Sequence, residues 1–147
     1  MNSGAEPVTI PSFHDGHVTS IVLGEKAATL GLRQSDGSSY ELILEGVEAL
    51  QVDDFRQGNI INQIDLVSGR HLDGGAFDIL ERLFPPPHAQ SAEPFHRAHS
   101  AFLAERTAKI ASGEAALVTI TPSYGCDLVA YCASAGLHET PSNRSGV

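Results

Sequence analysis

A chain of 147 residues is one domain by length and can bury a sizeable core without metals or disulfides. Nine Lys and Arg stand against eighteen Asp and Glu, a formal net charge of -9, so the surface repels phosphate backbones and nucleic acid is excluded as an expected partner. No run approaches membrane-spanning length, and MNSGAEPVTIPS has neither the basic region nor the apolar run of a signal peptide, so a cytoplasmic protein is expected, with no membrane partner.

In chain order, residues 1–12 are polar with Gly and Pro, and are expected to be loose. His14-Asp15-Gly16 then turns into a first strand, His17 to Leu23, with Val18, Ile21, Val22 and Leu23 as its apolar side chains. The second strand, Ala28 to Gln34, alternates: Ala28, Leu30 and Leu32 point one way, and Thr29, Gly31 and Arg33 the other. Ser35-Asp36-Gly37-Ser38 is a hairpin loop with Gly37 free to take a positive φ. In the third strand, Ser39 to Glu45, Tyr40, Leu42 and Leu44 share a face. Beyond Gly46 the apolar positions become Val47, Leu50 and Val52, a change of parity that predicts a bulge or bend near Glu48-Ala49. Residues 53–59 form a loop with one aromatic residue, Phe55, which by type belongs in the core more often than on the surface. The next strand, Ile60 to Val67, puts Ile60, Ile64 and Leu66 on one face and Ile61, Gln63, Asp65 and Val67 on the other.

The period then changes. Phe77, Leu80, Leu83 and Phe84 recur at helical steps over Gly74 to Phe84, with Asp73 as N-cap and three prolines, Pro85 to Pro87, as the stop. A second helix is predicted over Ala92 to Ser112, capped by Ser91, with Pro94 in its first turn and Gly113 after its end. Phe95, Ala98, Phe102, Leu103 and Ile110 form its apolar stripe. A closing hairpin joins Ala115–Thr121 to Cys126–Ala133 through a four-residue turn, Pro122 to Gly125. Residues 138–147 are polar and expected to fray. The fold class implied is α+β: a twisted antiparallel sheet or half-open barrel of six to seven strands with one or two packed helices.

Residues suited to chemistry are present but scattered. His14 and His17 bracket Asp15, and His96 and His99 lie three apart on one helix face, which makes a metal or small-molecule site the alternative reading. It lacks an HExxH motif and a cysteine cluster. Ser123 lacks the flanking glycines of a nucleophile elbow. Cys126 and Cys132 lie six apart in one apparent strand, roughly 20 Å if it is straight, too far for a disulfide. They read as small buried apolar residues in a reducing compartment. No cofactor motif is found, and Gly74-Gly75 lacks the lysine of a phosphate loop. The carboxylates Glu41, Glu45 and Asp65 mark the wet face of the sheet, and with Asp53, Asp54 and Phe55 they make the candidate docking surface.

The block HDGHVTSIVL, followed by an alternating strand, Asp36-Gly37, and YELILEGVEALQVDDFRQGNIINQIDL, resembles small bacterial immunity proteins of polymorphic-toxin systems and their uncharacterised relatives. The resemblance rests on His14-Asp15 before the first strand, Gly46-Val47 after the third, and Asp54-Phe55 with Gly58-Asn59 before the next, and it covers the first half of the chain. It implies a non-enzymatic protein that neutralises a toxin by occlusion, with no catalytic residues to carry over. The acidity suits a basic partner. Neither the partner's identity nor the oligomeric state follows from the sequence, and self-association through an exposed sheet edge is a further expectation.

Overall fold

Two-residue alternation builds the centre of the sheet. In the computed structural model, which describes residues 10–141, the strands β1 (His17–Gly24), β2 (Ala27–Arg33) and β3 (Ser39–Glu45) form a meander. Ala28, Leu30 and Leu32 of β2 and Leu42 and Leu44 of β3 are fully buried on one face, as their spacing requires. Asp36 accepts from the Ser38 N–H at 2.8 Å in the β2–β3 loop, which lowers its carboxyl pKa, and Gly37 takes φ 95°. The chain continues through β4 (Ala49–Asp53), β5 (Asn59–Val67), α1 (Gly74–Leu83), α2 (Glu93–Ser112), β6 (Ala116–Tyr124), β7 (Asp127–Cys132) and β8 (Ser134–Glu139). All pairings are antiparallel, in the order β4-β7-β6-β5-β1-β2-β3-β8.

That sheet is curled. Leu30 and Leu42 share one core with Val118 and Ile120 of β6 and Leu128 and Ala130 of β7. In a flat sheet β2 and β7 would lie roughly 19 Å apart, four strand spacings, out of reach of each other's side chains. The two ends of the order meet at a corner. β3 passes into β4 through Gly46-Val47-Glu48, while β7 passes into β8 through Ala133, so β3 pairs with β8 and β4 with β7. The Ala133 N–H donates to the carbonyls of Glu45 and Gly46 at 2.9 and 3.1 Å, and the Glu48 N–H to that of Tyr131 at 3.0 Å. Gly46 takes φ 63° here, and a Cβ on it would meet Ala133 at 2.6 Å. This bend is the parity break read at Glu48-Ala49.

The sheet has eight strands rather than six or seven. The additional one is β8, whose ladder with β3 runs from Glu45↔Ser134 to Tyr40↔Glu139. Only Ala135 and Leu137 pack inward from it, so its hydrophobic signal is two residues long, and its pairing is supplied by β3. His138 and Glu139 therefore belong to a strand, not to a frayed tail. At the other end Ile10 packs on the core and Gln34 donates to the Ser12 carbonyl at 3.0 Å, so residues 10–12 are tied down. The remainder of both expected loose ends, 1–9 and 142–147, lies outside the described residues.

Three local expectations change. Ile61 faces the core together with Ile64 and Leu66, because the β5–β6 register shifts between Ile60 and Gln63, opposite Pro122. A proline cannot donate to the ladder, and the irregularity at this point accommodates it. β6 runs on to Tyr124, which shortens the expected turn to Gly125-Cys126. Of the four apolar side chains read in β1, Val18 is buried, whereas Val22 and Leu23 are exposed.

A second core lies on the outer face. Leu117, Val129 and Tyr131 there pack under Leu80 of α1 and Leu103 and Ile110 of α2. Asp73 caps α1 by accepting from the Ala76 N–H at 2.7 Å. Ala92, not Ser91, is the N-cap of α2 and makes no side-chain cap; Gly113 ends the helix at φ 86°. Phe95 and Ala98, expected on the buried stripe, are exposed. Polar ties do part of the work instead. Arg106 pairs with Glu48 and with Glu105, both at 2.6 Å, and lies 3.6 Å over the Phe102 ring, while His99 Nε2 is 2.8 Å from the Phe84 carbonyl.

Candidate binding surface

Asn59 is 1% exposed and organises one end of the curled sheet. Its amide nitrogen donates to the Val18 carbonyl at 3.2 Å. Its Oδ1 accepts from the backbone N–H groups of Arg56, at 2.7 Å, and Cys126, at 3.0 Å. One side chain thus joins β1, the β4–β5 loop and the β6–β7 turn, and its buried polar atoms are satisfied in doing so. Both loops bend sharply around it. Asp54, Gly58 and Gly125 take φ of 59°, 73° and 85°, and a Cβ on Gly125 would collide with Asn59 Oδ1.

This clamp sets out two aromatic rings. Phe55 is 46% exposed and Tyr124 48%, so Phe55 does not plug the core. Arg56 stands between the two segments, its guanidinium carbon 5.9 Å from the Tyr124 ring centroid and its Nε 2.7 Å from Asp54 Oδ1. The hydrogen bond and charge of Asp54 raise the Arg56 pKa. Carboxylates complete the rim. Asp53 lies directly across from Asp127 on β7, a like-charge pair, and Arg82 of α1 reaches Asp127 at 3.6 Å. Exposed aromatic rings, an arginine and surrounding carboxylates are groups that bind by packing and charge pairing.

The six residues expected at a docking surface divide among three places. Asp53, Asp54 and Phe55 come together at the clamp. Glu41 and Glu45 are exposed on β3, where they oppose Gly31 and Ala27 of β2 and His138 and Ser134 of β8. Asp65 is half-buried on β5 opposite Thr119, with both its oxygens 2.8 Å from Gln63 Nε2. β1 and β2 separate β5 from β3, and outward-facing side chains diverge around a curled sheet. Asn59, Arg56 and Tyr124 were not anticipated. The first reads as a turn residue after Gly58, and the last as part of a hairpin loop.

The four histidines do not form a pocket. His14 Nδ1 is 3.2 Å from the Asn62 carbonyl, and His17 pairs within β1 against Arg33 and Ile60. His96 and His99 lie on α2, the latter held by Phe84. Among the described residues no three His, Cys, Asp or Glu side chains are grouped to hold a metal ion. Cys126 and Cys132 are free and buried, and burial pushes both thiols up to about 11. A shallow groove of about 600 Å³ between α1 and α2 is lined by Phe77, Ala104 and Ala108 and contains none of the anticipated site residues. No described helix is long and apolar enough to cross a membrane. No protein-family model matches the chain, nor does any curated protein or solved structure.

Proposed function

We propose that this chain is a non-enzymatic binding protein whose docking face is the clamped loop end, and whose partner is a basic protein. The observation that carries the reading is the pair of half-exposed rings, Phe55 and Tyr124, fixed around Arg56 by the buried Asn59. Asn59 ties both loops to β1 by hydrogen bonds, and aromatic and arginine side chains presented on loops held in this way bind at lower entropic cost. Asp53, Asp54 and the -9 net charge favour approach of a positively charged surface. The likeness of the first half of the chain to immunity proteins of polymorphic-toxin systems gives the reading its specific form: a cytoplasmic protein that occludes a toxin.

The test is co-expression with the product of the adjacent gene, followed by co-purification and calorimetry. A complex is expected, weakened at least about tenfold by Phe55→Ala combined with Tyr124→Ala, as loss of central aromatic anchors does. Asp53→Lys with Asp54→Lys slows association and reduces its salt dependence. Absence of a complex, or a complex indifferent to the aromatic double substitution, refutes the assignment of this face.

A further inference from the structure

Where the chain leaves Asn59, it also leaves β1. β5 pairs with β1 only at His17↔Ile60 and Val18↔Asn59, and Gly58, at φ 73°, turns the preceding loop away. From Ser20 to Gly24, β1 therefore has a partner on one side alone, β2, and Thr19 lies in an irregularity of that ladder. Its other edge is unpaired among the described residues, and Val22 and Leu23 on it are 61% and 68% exposed.

The other open edges differ in one respect. β4 carries Asp53, the outer half of β5 carries Asp65, and β8 carries His138 and Glu139. Charge on an open edge blocks strand addition, because an incoming strand would have to desolvate it. Thr19-Ser20-Ile21-Val22-Leu23-Gly24 has no charge at all. In a molecule of net charge -9 it is a stretch that a second copy can approach without setting like charges in register.

We propose that this edge pairs with the same edge of a second copy, giving an antiparallel, two-fold dimer with one sheet running through both chains. The register follows from symmetry. A two-fold axis through a sheet sets outward residues against outward residues, so a residue can oppose only its own counterpart or one an even number of positions away. β1 is irregular between Val18 and Ser20, so a copy can add in register only along Ser20–Gly24; centring on Ile21 would carry Leu23 and Gly24 of the copy beyond Ser20, towards the residues that β5 already occupies. Centring on Val22 sets Val22 against Val22, Ile21 against Leu23 and Ser20 against Gly24, and is compatible with β5. Both exposed aliphatic side chains are then covered. The strand contact is short, well below the roughly 1,200 Å² of a stable interface, so the dimer is weak and concentration-dependent.

Sedimentation equilibrium on the full chain, from about 10 μM to about 1 mM, tests it. The expected mass rises with concentration from the 15.6 kDa of one chain towards twice that value. Val22→Lys and Val22→Glu each stay monomeric, since each places like charges face to face, and an equimolar mixture of the two recovers the dimer. Val22→Thr, which keeps the strand preference, dimerises at least severalfold more weakly. Phe55→Ala leaves the dimer unchanged, which separates this edge from the loop-end surface. A constant 15.6 kDa for the unsubstituted protein overturns the proposal, as does a dimer indifferent to Val22→Lys or to Val22→Thr.

Discussion

Replacing Asn59 by Ala removes three hydrogen bonds at one position, and the consequences of each can be followed separately. The Arg56 N–H lies in an exposed loop and can turn to water, so its loss costs little. The Cys126 N–H and the Val18 carbonyl belong to residues only 2% exposed, so both are left buried without the partner that Asn59 provided. A buried polar group stranded in this way costs about 1–3 kcal/mol. The substitution also leaves a small void where the amide stood. Together these give a loss of about 3–5 kcal/mol, a large share of the 5–15 kcal/mol that holds a domain of this size together. Urea denaturation followed by far-UV circular dichroism reads it as a lowered midpoint with an unchanged slope. Asn62→Ala is the control: this exposed residue in the same strand is expected to change stability by less than about 0.5 kcal/mol. Amide exchange adds a local readout, with Cys126 losing protection in Asn59→Ala before β7 does. A loss below about 1 kcal/mol, or an unchanged Cys126 exchange rate, would show that the two loops are held by something other than this side chain.

Gly125→Ala attacks the same junction from the other side: a Cβ at φ 85° costs about 1 kcal/mol in backbone strain and also displaces Asn59 Oδ1, so the midpoint falls and exposed-loop proteolysis near Tyr124 accelerates. Arg106→Met keeps the aliphatic packing on Phe102 but strips Glu48 and Glu105 of their cation; a loss of about 1–2 kcal/mol by urea denaturation is expected, and no loss would mean that the Arg106 ion pairs contribute nothing to holding α2. Alkali should unfold the protein through its buried acids. Cys126 and Cys132 are pushed up from 9.0 to about 11 and Tyr131 from 10.0 to about 12, chiefly by burial, so each favours the folded state while protonated. That contribution is complete below pH 9 for the thiols and below pH 10 for the phenol, and is lost as the pH rises through about 11 and about 12 respectively. Cys132→Ala, which removes one of these groups, should flatten the decline in thermal midpoint between pH 9 and 11, and an equally steep decline would contradict the linkage.

The regular parts of the sheet were legible because burial there follows chain position. Leu30, Leu32, Leu42 and Leu44 alternate with polar or small residues, and the helix start at Asp73 and stop at Gly113 follow from local chemistry. Legibility failed where pairing rather than side-chain pattern decides the structure. β8 has two inward apolar residues and exists because β3 offers it a ladder. Val22 and Leu23 look like core residues in any window of sequence; they are exposed because β5 ends its pairing at Asn59, some forty residues later in the chain. Phe95 similarly sits at a core spacing on a helix whose first turn finds nothing to cover it.

The candidate surface was half legible for a related reason. Asp53, Asp54 and Phe55 are adjacent in sequence, so their meeting needs no fold. Glu41, Glu45 and Asp65 shared a face in a flat sheet, and curling the sheet to bury Leu30 against Leu128 drove them apart. Pairing of β6 with β5, which sets Tyr124 against Ile60, brings this ring, about seventy residues from Phe55, to the loop end, and Asn59 ties the two loops together there. A Gly-Asn pair in a sequence signals a turn, and here it is one. What makes Asn59 more than a turn residue is that two of its three partners, Val18 and Cys126, lie on segments which only the folded chain brings to it. Its burial, rather than the number of carboxylates nearby, is therefore the stronger ground for the proposed docking face: acidic residues cover much of the molecule, but here two exposed rings stand beside a side chain whose three hydrogen bonds tie the two loops to β1.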